Sequence, residues 1–433
     1  MDIRFKSIKG MNDILPPESN IWINLEHLLR EHFFMAGFRE IRTPILEYFE
    51  LFVRGIGEGT DIVEKEMYSF KDKDGEMITL RPEGTAPVVR AIIEHNFLKH
   101  DGICRFFYLG PMFRYERPQK GRLRQFHQFG AEVFGIQDGS IDGELIFLGV
   151  SLLNKLGVQE RDFITKVNSL GCIECRKGFR ESLVVFLNKS KDSFCDDCKR
   201  RILTNPLRVL DCKNDSCRAL TQDAPCTVDY LCEGCSKHFD EVKRALKCFE
   251  IKYEIDSRLV RGLDYYSRTT FEIQITNNLL GSQNTVIAGG RYNSLFKDFV
   301  GEDYPAIGFA GGIERLLEVI DKKLIEPKEK LRVSFMSDLA SFDVRDVLVV
   351  QKLREAGIEV EVDLATKSYK SKFKRADRNQ STFAIIKGED EKKGGYYTVK
   401  DLRLSINSED KQFRIKPEEL CNEILRRKEI EWS

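Results

Sequence analysis

Ten of the chain's twelve cysteines fall between residues 168 and 250, six of them in the pairs Cys172-Ile-Glu-Cys175, Cys195-Asp-Asp-Cys198 and Cys232-Glu-Gly-Cys235, with Cys212, Cys217 and Cys226 nearby. A block so different from its flanks reads as an insertion, at about 168–250, with a small core of its own. Pairs at this spacing suit one or two structural zinc ions with four thiolates each; buried or free thiols are the alternative, and spacing alone leaves both open. The N-terminus MDIRFKSIKGMND has no apolar core like that of a signal peptide, and no apolar run reaches the ~18 residues that cross a bilayer. The expected compartment is therefore the cytoplasm, away from any membrane, where disulfides do not persist.

At 433 residues the chain exceeds what one core holds, so two or three domains are expected. Residues 20–36 place Ile21, Leu25, Leu28, Leu29, His32 and Phe33 at helical spacing, with Gly37 positioned to end the helix. Residues 38–53 read as extended and broken at Pro44, MYSF and MITLRPEGT as short strands, and APVVRAIIEHNFL as a helix. RFFYLGPMFRYE and LRQFHQFGAEVFG read as an antiparallel pair around the loop PQKGR, with DGELIFLGVSLLNKLG helical behind them. Past the insertion, RTTFEIQIT and NTVIAGGRY are strand-like, and IGFAGGIERLLEVI is a strand leading through glycines into a helix. The last hundred residues alternate strand and helix beyond the polar linker DKKLIEPKEK. This predicts a first domain at 1–325 and a separate α/β domain at 330–433.

Net charge is zero, 69 basic against 69 acidic residues, which argues against a surface built for bulk nucleic-acid binding. Any polyanion site must be local, and FRYERPQKGRLRQFHQ at 113–128 concentrates Arg114, Arg117, Lys120, Arg122 and Arg124 against the single acid Glu116. On strands, Arg114 shares a face with Glu116, and Arg122 with Arg124, Phe126 and Gln128. Guanidinium forks suit phosphate oxygens and a ring suits a nucleobase; a solvated turn is the plainer reading. In LVRGLDYYSRTTFEI, Arg261 and Asp264 sit in apolar surroundings, either as a structural pair or as a cation poised for an anionic group. AGGRYNSL and GFAGGIERL pair glycines with Arg291 and Arg315, where a backbone can approach a ligand and an arginine can meet a phosphate.

Taken in order, FRYERPQKGRLRQFHQ, RGLDYY, AGGRYN and GFAGGIER resemble the class II aminoacyl-tRNA synthetases, and specifically the histidyl-tRNA synthetase family. GMNDILPP with GFREIRTPILEYFELF resembles the family's first class motif, at a homodimer interface; FRYE through FHQ resembles the second and GFAGGIERL the third. RGLDYY and AGGRYN resemble the signatures of the histidine enzymes, and the likeness spans essentially the whole chain.

The resemblance implies an α+β fold: an antiparallel sheet of six or seven strands flanked by helices, an inserted small domain, and a C-terminal α/β anticodon-binding domain. It implies a histidine–tRNA ligase that activates L-histidine with ATP and Mg²⁺ and loads tRNA(His). Arg261 would be catalytic, stabilising charge at the α-phosphate, together with Arg114, which grips that phosphate. Glu116, Arg122, Phe126 and Arg315 would hold ATP. Glu83, Gly84, Thr85, Gln128, Glu132, Tyr265, Tyr266 and Tyr292 would hold histidine, with Glu132 accepting from one imidazole nitrogen and Tyr266 or Tyr292 donating to the other. Gln119, Lys120 and Arg124 would meet the tRNA acceptor end, and the run TKSYKSKFKRADR is a second phosphate-facing surface. Zinc is not implied by the resemblance. The nearest alternative is the synthetase-like regulatory subunit of ATP phosphoribosyltransferase; a pure nucleic-acid-binding module is more distant.

Overall fold

The computed structural model describes residues 5–57, 60, 62–212, 214–260, 265–281, 284–326, 331–338, 340–365, 368–403 and 411–429. The chain divides into two compact units, Met1–Glu326 and Pro327–Ser433.

The first unit begins with the short strands β1 (Arg39–Glu40), β2 (Leu46–Tyr48), β3 (Tyr68–Lys71) and β4 (Met77–Leu80). The hairpin β5 (Cys104–Phe113) and β6 (Gln125–Phe134) follows, then β7 (Phe163–Ser169). Beyond the cysteine-rich segment come β8 (Tyr253–Ile255), β9 (Thr269–Ile275), β10 (Thr285–Arg291) and β11 (Ala306–Gly312). One sheet runs β1-β5-β6-β11-β10-β9-β7-β8, and β2-β4-β3 forms a smaller one. The six central strands of the large sheet are antiparallel, while β1 on β5 and β8 on β7 add parallel edges. The expected antiparallel sheet of six or seven strands is thus an eight-stranded mixed one among the described residues. Two- and three-residue edge strands are too short to show a period-two pattern.

One face of the sheet packs on the helices Glu18–Met35 and Ser140–Lys155. Leu25, Leu29 and Phe33 of the first and Leu145, Leu152 and Leu153 of the second join Phe107, Phe129, Val133, Ile273 and Phe309 in one core. The FELFV end of the stretch read as extended lies instead in the helix Phe49–Ile56. Its buried Leu51, Phe52, Gly55 and Ile56 follow a helical period that the preceding Pro44 obscured.

The cysteine-rich segment folds as the helices Ile173–Asn188, Asp196–Thr204, Asp215–Leu220 and Glu233–Cys248. It does not close on a core of its own. Phe179, Leu183, Leu187 and Ile202 share a cluster with Phe106, Tyr108, Phe134 and Tyr266. Its last helix sends Phe239, Val242 and Leu246 into the main core.

The second unit carries β12 (Arg332–Ser337), β13 (Glu359–Asp363), β14 (Phe383–Lys387), β15 (Tyr397–Asp401) and β16 (Gln412–Ile415), in the order β13-β12-β14-β15-β16. β13, β12 and β14 are parallel and β15 and β16 antiparallel, with Val333, Phe335, Leu353, Ile385, Val399 and Ile424 beneath them.

Candidate active site

The large sheet's second face is a floor of small residues. β11 places Gly308, Ala310 and Gly312 opposite Glu132, Gly130 and Gln128 of β6, and β10 places Ala288 and Gly290 opposite Ala310 and Gly308. The glycines of AGGRYN and GFAGGIER are therefore strand positions, not loop turns. Their missing side chains leave a cleft of about 390 Å³, within the ~300–1,000 Å³ typical of ligand pockets. Its walls bring together Glu83, Thr85, Arg114, Glu116, Arg122, Phe126, Gln128, Tyr265, Tyr266, Tyr292 and Arg315.

At one end the pocket is lined with acceptors. Glu132 is fully buried and accepts from Thr85 Oγ1 at 2.8 Å and from the Tyr292 hydroxyl at 2.5 Å. Burial raises its carboxyl to about 8, against the lowering effect of those two hydrogen bonds. A Cβ at Gly308 would stand 1.5 Å from Glu132 Oε2, so only glycine leaves room for this carboxylate. Glu83 is buried as well; it accepts from the backbone N–H groups of Thr85 at 2.7 Å and Ala86 at 2.8 Å, opening the helix Thr85–Glu94. Burial also raises its carboxyl, partly offset by those bonds and by the charge of Arg114. Gly84 admits the ring of Tyr108, which a Cβ there would meet at 2.3 Å. The side-chain oxygen of Gln128 is buried without a hydrogen-bond partner. The Tyr265 and Tyr266 rings lie 4.8 Å apart, tilted by 50°, and Tyr265 meets Tyr292 edge-on at 5.7 Å.

At the other end lies the hairpin loop. The strands stop at Phe113 and Gln125, so the expected strand-face pairing holds for Phe126 and Gln128 but not for Arg114, Glu116, Arg122 and Arg124. Contacts within the loop assemble those four instead. Arg122 Nε lies 2.7 Å from Glu116 Oε2, and Arg114 Nη1 lies 3.9 Å from Glu116 Oε1. Arg114 also donates to the Pro82 carbonyl at 2.9 Å and lies 5.3 Å over the Phe126 ring. Arg124 packs 4.0 Å over Tyr115 and donates to the Glu116 carbonyl at 3.2 Å, bracing the loop from below. Gln119 and Lys120 are exposed at the tip, where Lys120 meets Glu318 at 3.1 Å. Arg315 reaches from the first turn of the helix Ile313–Val319 to the carbonyls of Gly121 at 2.9 Å and Thr285 at 3.0 Å, tying this loop to the sheet.

Two expectations end elsewhere. Arg291 faces away from the cleft: it is fully buried and grips Asp142 through both Nε and Nη2, so it is structural. Within the basic run, Lys372 points inward to the carbonyls of Ser337 and Asp363, while Lys370, Lys374 and Arg378 are exposed on the helix Tyr369–Arg378. Arg261 and Asp264 lie outside the described residues.

The sequence reading passed over Glu272, which lines the cleft and accepts from Gln274 and from Thr285, each at 2.7 Å. Alternation in TTFEIQI would have found it, since Phe271, Ile273 and Ile275 are core and the residues between them face the cleft. Asp211, beside Cys212, also lines the cleft, with no comparable signal in the sequence.

The family described as histidyl-tRNA synthetase matches residues 10–173 and 208–316, and an anticodon binding domain matches 347–427. A histidine–tRNA ligase from Halothermothrix orenii is 48% identical over 414 residues, covering 93% of this chain and 95% of that protein. The crystal structure of apo histidyl-tRNA synthetase from S. aureus superposes with a TM-score of 0.77 at 34% identity, covering 97% of this chain and 99% of that one. A Bacillus halodurans structure described as an ATP phosphoribosyltransferase regulatory subunit/histidyl-tRNA synthetase has a TM-score of 0.61 at 21% identity over 86% of this chain and 97% of that one, a likeness of fold alone. With a family match over most of its first unit and close relatives along nearly its full length, the chain belongs to the histidyl-tRNA synthetase family.

Proposed function

We propose that the chain is a histidine–tRNA ligase that joins L-histidine to ATP as histidyl-adenylate, releasing pyrophosphate, and passes the histidyl group to the 3′ end of tRNA(His). The observation that carries this reading is the acidic end of the cleft: Glu83 and Gln128 on its wall, the Gln128 oxygen without a partner among the described residues, and the buried acid Glu132 held just behind the wall by Thr85 and Tyr292. Histidine offers an α-ammonium for Glu83, Thr85 and Gln128 and an imidazole N–H for Glu132, with Tyr266 serving the other ring nitrogen. A residue lacking the imidazole brings no N–H for Glu132 and no ring nitrogen to accept from a tyrosine, which is how such a site rejects it.

Adenylation is a displacement at phosphorus, so the protein's work is alignment and charge stabilisation. The histidine carboxylate attacks the α-phosphorus, and Arg114 and Arg261 stabilise the charge that builds there. Phe126 stacks on the adenine, Glu116 and Arg122 hold the nucleotide, and Arg315 meets the far phosphates. Mg²⁺ takes hard oxygen ligands, and Glu272 supplies one beside Thr285 on the cleft side of β9. When bound, the ion would neutralise phosphate charge. Gln119 and Lys120 meet the acceptor end of the tRNA, with Arg124 bracing their loop, and Lys370, Lys374 and Arg378 face tRNA phosphates in the second unit. The family assignment also supports a homodimer acting in the cytoplasm.

The decisive assay is ATP–pyrophosphate exchange and aminoacylation with histidine against other amino acids. Arg261→Ala should abolish exchange while circular dichroism stays native; exchange at the unmodified protein's rate would sink the assignment of Arg261. A regulatory subunit of ATP phosphoribosyltransferase would show no histidine-dependent exchange at all.

A further inference from the structure

The structure sorts eight of the ten clustered cysteines into two groups of four. The sulfurs of Cys172, Cys175, Cys232 and Cys235 all lie within 4.8 Å of one another, and so do those of Cys195, Cys198, Cys212 and Cys217. The sulfurs of Cys172 and Cys175 stand 3.6 Å apart and those of Cys195 and Cys212 4.0 Å apart. Disulfide sulfurs stand about 2.05 Å apart, so none of these pairs is joined. Four thiolates about 2.3 Å from one tetrahedral zinc stand about 3.8 Å apart, close to the spacing seen. Burial as small apolar side chains would explain cysteines scattered through the core, not two closed sets of four.

The backbone is also arranged for anionic sulfur. Cys172, Cys195 and Cys232 each cap the N-terminus of a helix, and Cys175, Cys198 and Cys235 lie in the first turns. Six of the eight sulfurs thus sit where aligned N–H groups favour a thiolate over a thiol. Across each group, a backbone N–H from one ligand donates to the sulfur of another: Cys232 to Cys175 at 3.1 Å, and Cys195 to Cys217 at 3.3 Å. Cys175, Cys198, Cys212, Cys217 and Cys235 are buried, and each set is complete with sulfur alone. A soft, closed, four-thiolate set with no place for water suits a structural zinc and not a catalytic one.

We propose that the chain carries two structural zinc ions, an outer one on Cys172, Cys175, Cys232 and Cys235 and an inner one on Cys195, Cys198, Cys212 and Cys217. The outer ion joins the start of the segment, just after β7, to the start of its last helix. The inner ion joins the two arms between them. Helices of 9 and 6 residues, Asp196–Thr204 and Asp215–Leu220, are too short to hold in isolation, so the tie adds to the packing of Ile202 and Cys217. The inner ion also fixes the residue next to Cys212: Asp211, on the wall of the cleft. Cys175, Cys195 and Cys198 fall outside the family match and the other five ligands inside it, so each site draws on both. Each ion displaces the protons of its four thiols, so binding strengthens as pH rises.

Metal content of the full chain, purified under reducing conditions without chelator, tests this directly. Two equivalents of zinc per chain are expected, falling to one in Cys198→Ser and to one in Cys235→Ser, with Cys248→Ser unchanged at two. X-ray absorption should give four sulfur ligands per zinc. Releasing the metal with a thiol-reactive mercurial should make residues 174–230 protease-sensitive while Pro327–Ser433 stays intact. Less than half an equivalent of zinc in the unmodified protein, iron in its place, or unchanged zinc in both Cys198→Ser and Cys235→Ser would overturn the proposal, and the first of these needs no variant to fold.

Discussion

Replacing Glu132 with glutamine should reverse sign as pH changes. The folded protein keeps this carboxyl protonated until about 8, whereas in the unfolded chain it titrates at its ordinary 4.5. An acid whose folded value is raised gives its full stability below the unfolded value and loses it as pH climbs to the folded one. Raising pH from 4 to 9 crosses the whole of that interval, about 3.5 units, so at ~1.4 kcal/mol per unit this group costs the folded state about 4–5 kcal/mol. Glutamine carries no proton to lose, so the variant escapes that cost. It does lose a hydrogen bond, since one amide oxygen replaces the two that accept separately from Thr85 and Tyr292, worth about 1 kcal/mol. Glu132→Gln should therefore be about 1 kcal/mol less stable than the unmodified protein at pH 4 and about 3–4 kcal/mol more stable at pH 9. Denaturant titrations at several pH values, following the first unit's transition, measure the difference, in which all other titrating groups cancel. Parallel stability curves for the two proteins would refute the claim that Glu132 is a buried acid with a raised titration point. In the same variant, histidine KM should rise far more than ATP KM; equal loss of both would mean that Glu132 does not face the amino acid.

Gly308→Ala should damage histidine binding without touching the nucleotide end, because the added methyl occupies the space of the Glu132 carboxylate. The expected readout is a histidine KM raised at least tenfold, with a stability loss of ~1–3 kcal/mol, and unchanged histidine KM would show that the carboxylate can move aside. Arg291→Met strands Asp142, fully buried, with only His238 Nε2 nearby at 3.5 Å. Denaturant unfolding should show a loss of ~3–5 kcal/mol, and a loss under 1 kcal/mol would refute the structural role given to that pair.

Much of the site was legible because its residues lie in short local patterns. Phe126, Gln128 and Glu132 alternate along one strand, so a period of two puts them on one face wherever the strand lies. The helix Glu18–Met35 was equally local, its buried residues spaced by the turn of a helix. Two readings failed where pattern was weak or broken: the helix Phe49–Ile56, next to Pro44, and the loop residues Arg114 to Arg124, whose strand periodicity ends at Phe113. Glu272 was missed although its alternation was present, because a lone acid in a hydrophobic strand reads as solvent-facing until the cleft above it is known.

By itself, the sequence determined most of the order of elements and the residue types gathered around the hairpin. These follow from local steric and hydrophobic periods that need no partner. Only the tertiary structure decided which arginine serves the cleft. Arg291 and Arg315 both follow glycines, but Arg291 meets Asp142, 149 residues away, and Arg315 meets Gly121, 194 residues away. It likewise turned the glycines into a floor, gave the Tyr292 proton to Glu132, and divided eight cysteines into two sets of four. Each of these depends on which distant strand or helix arrives as neighbour, a choice made by packing across the whole sheet that no local pattern of residues encodes.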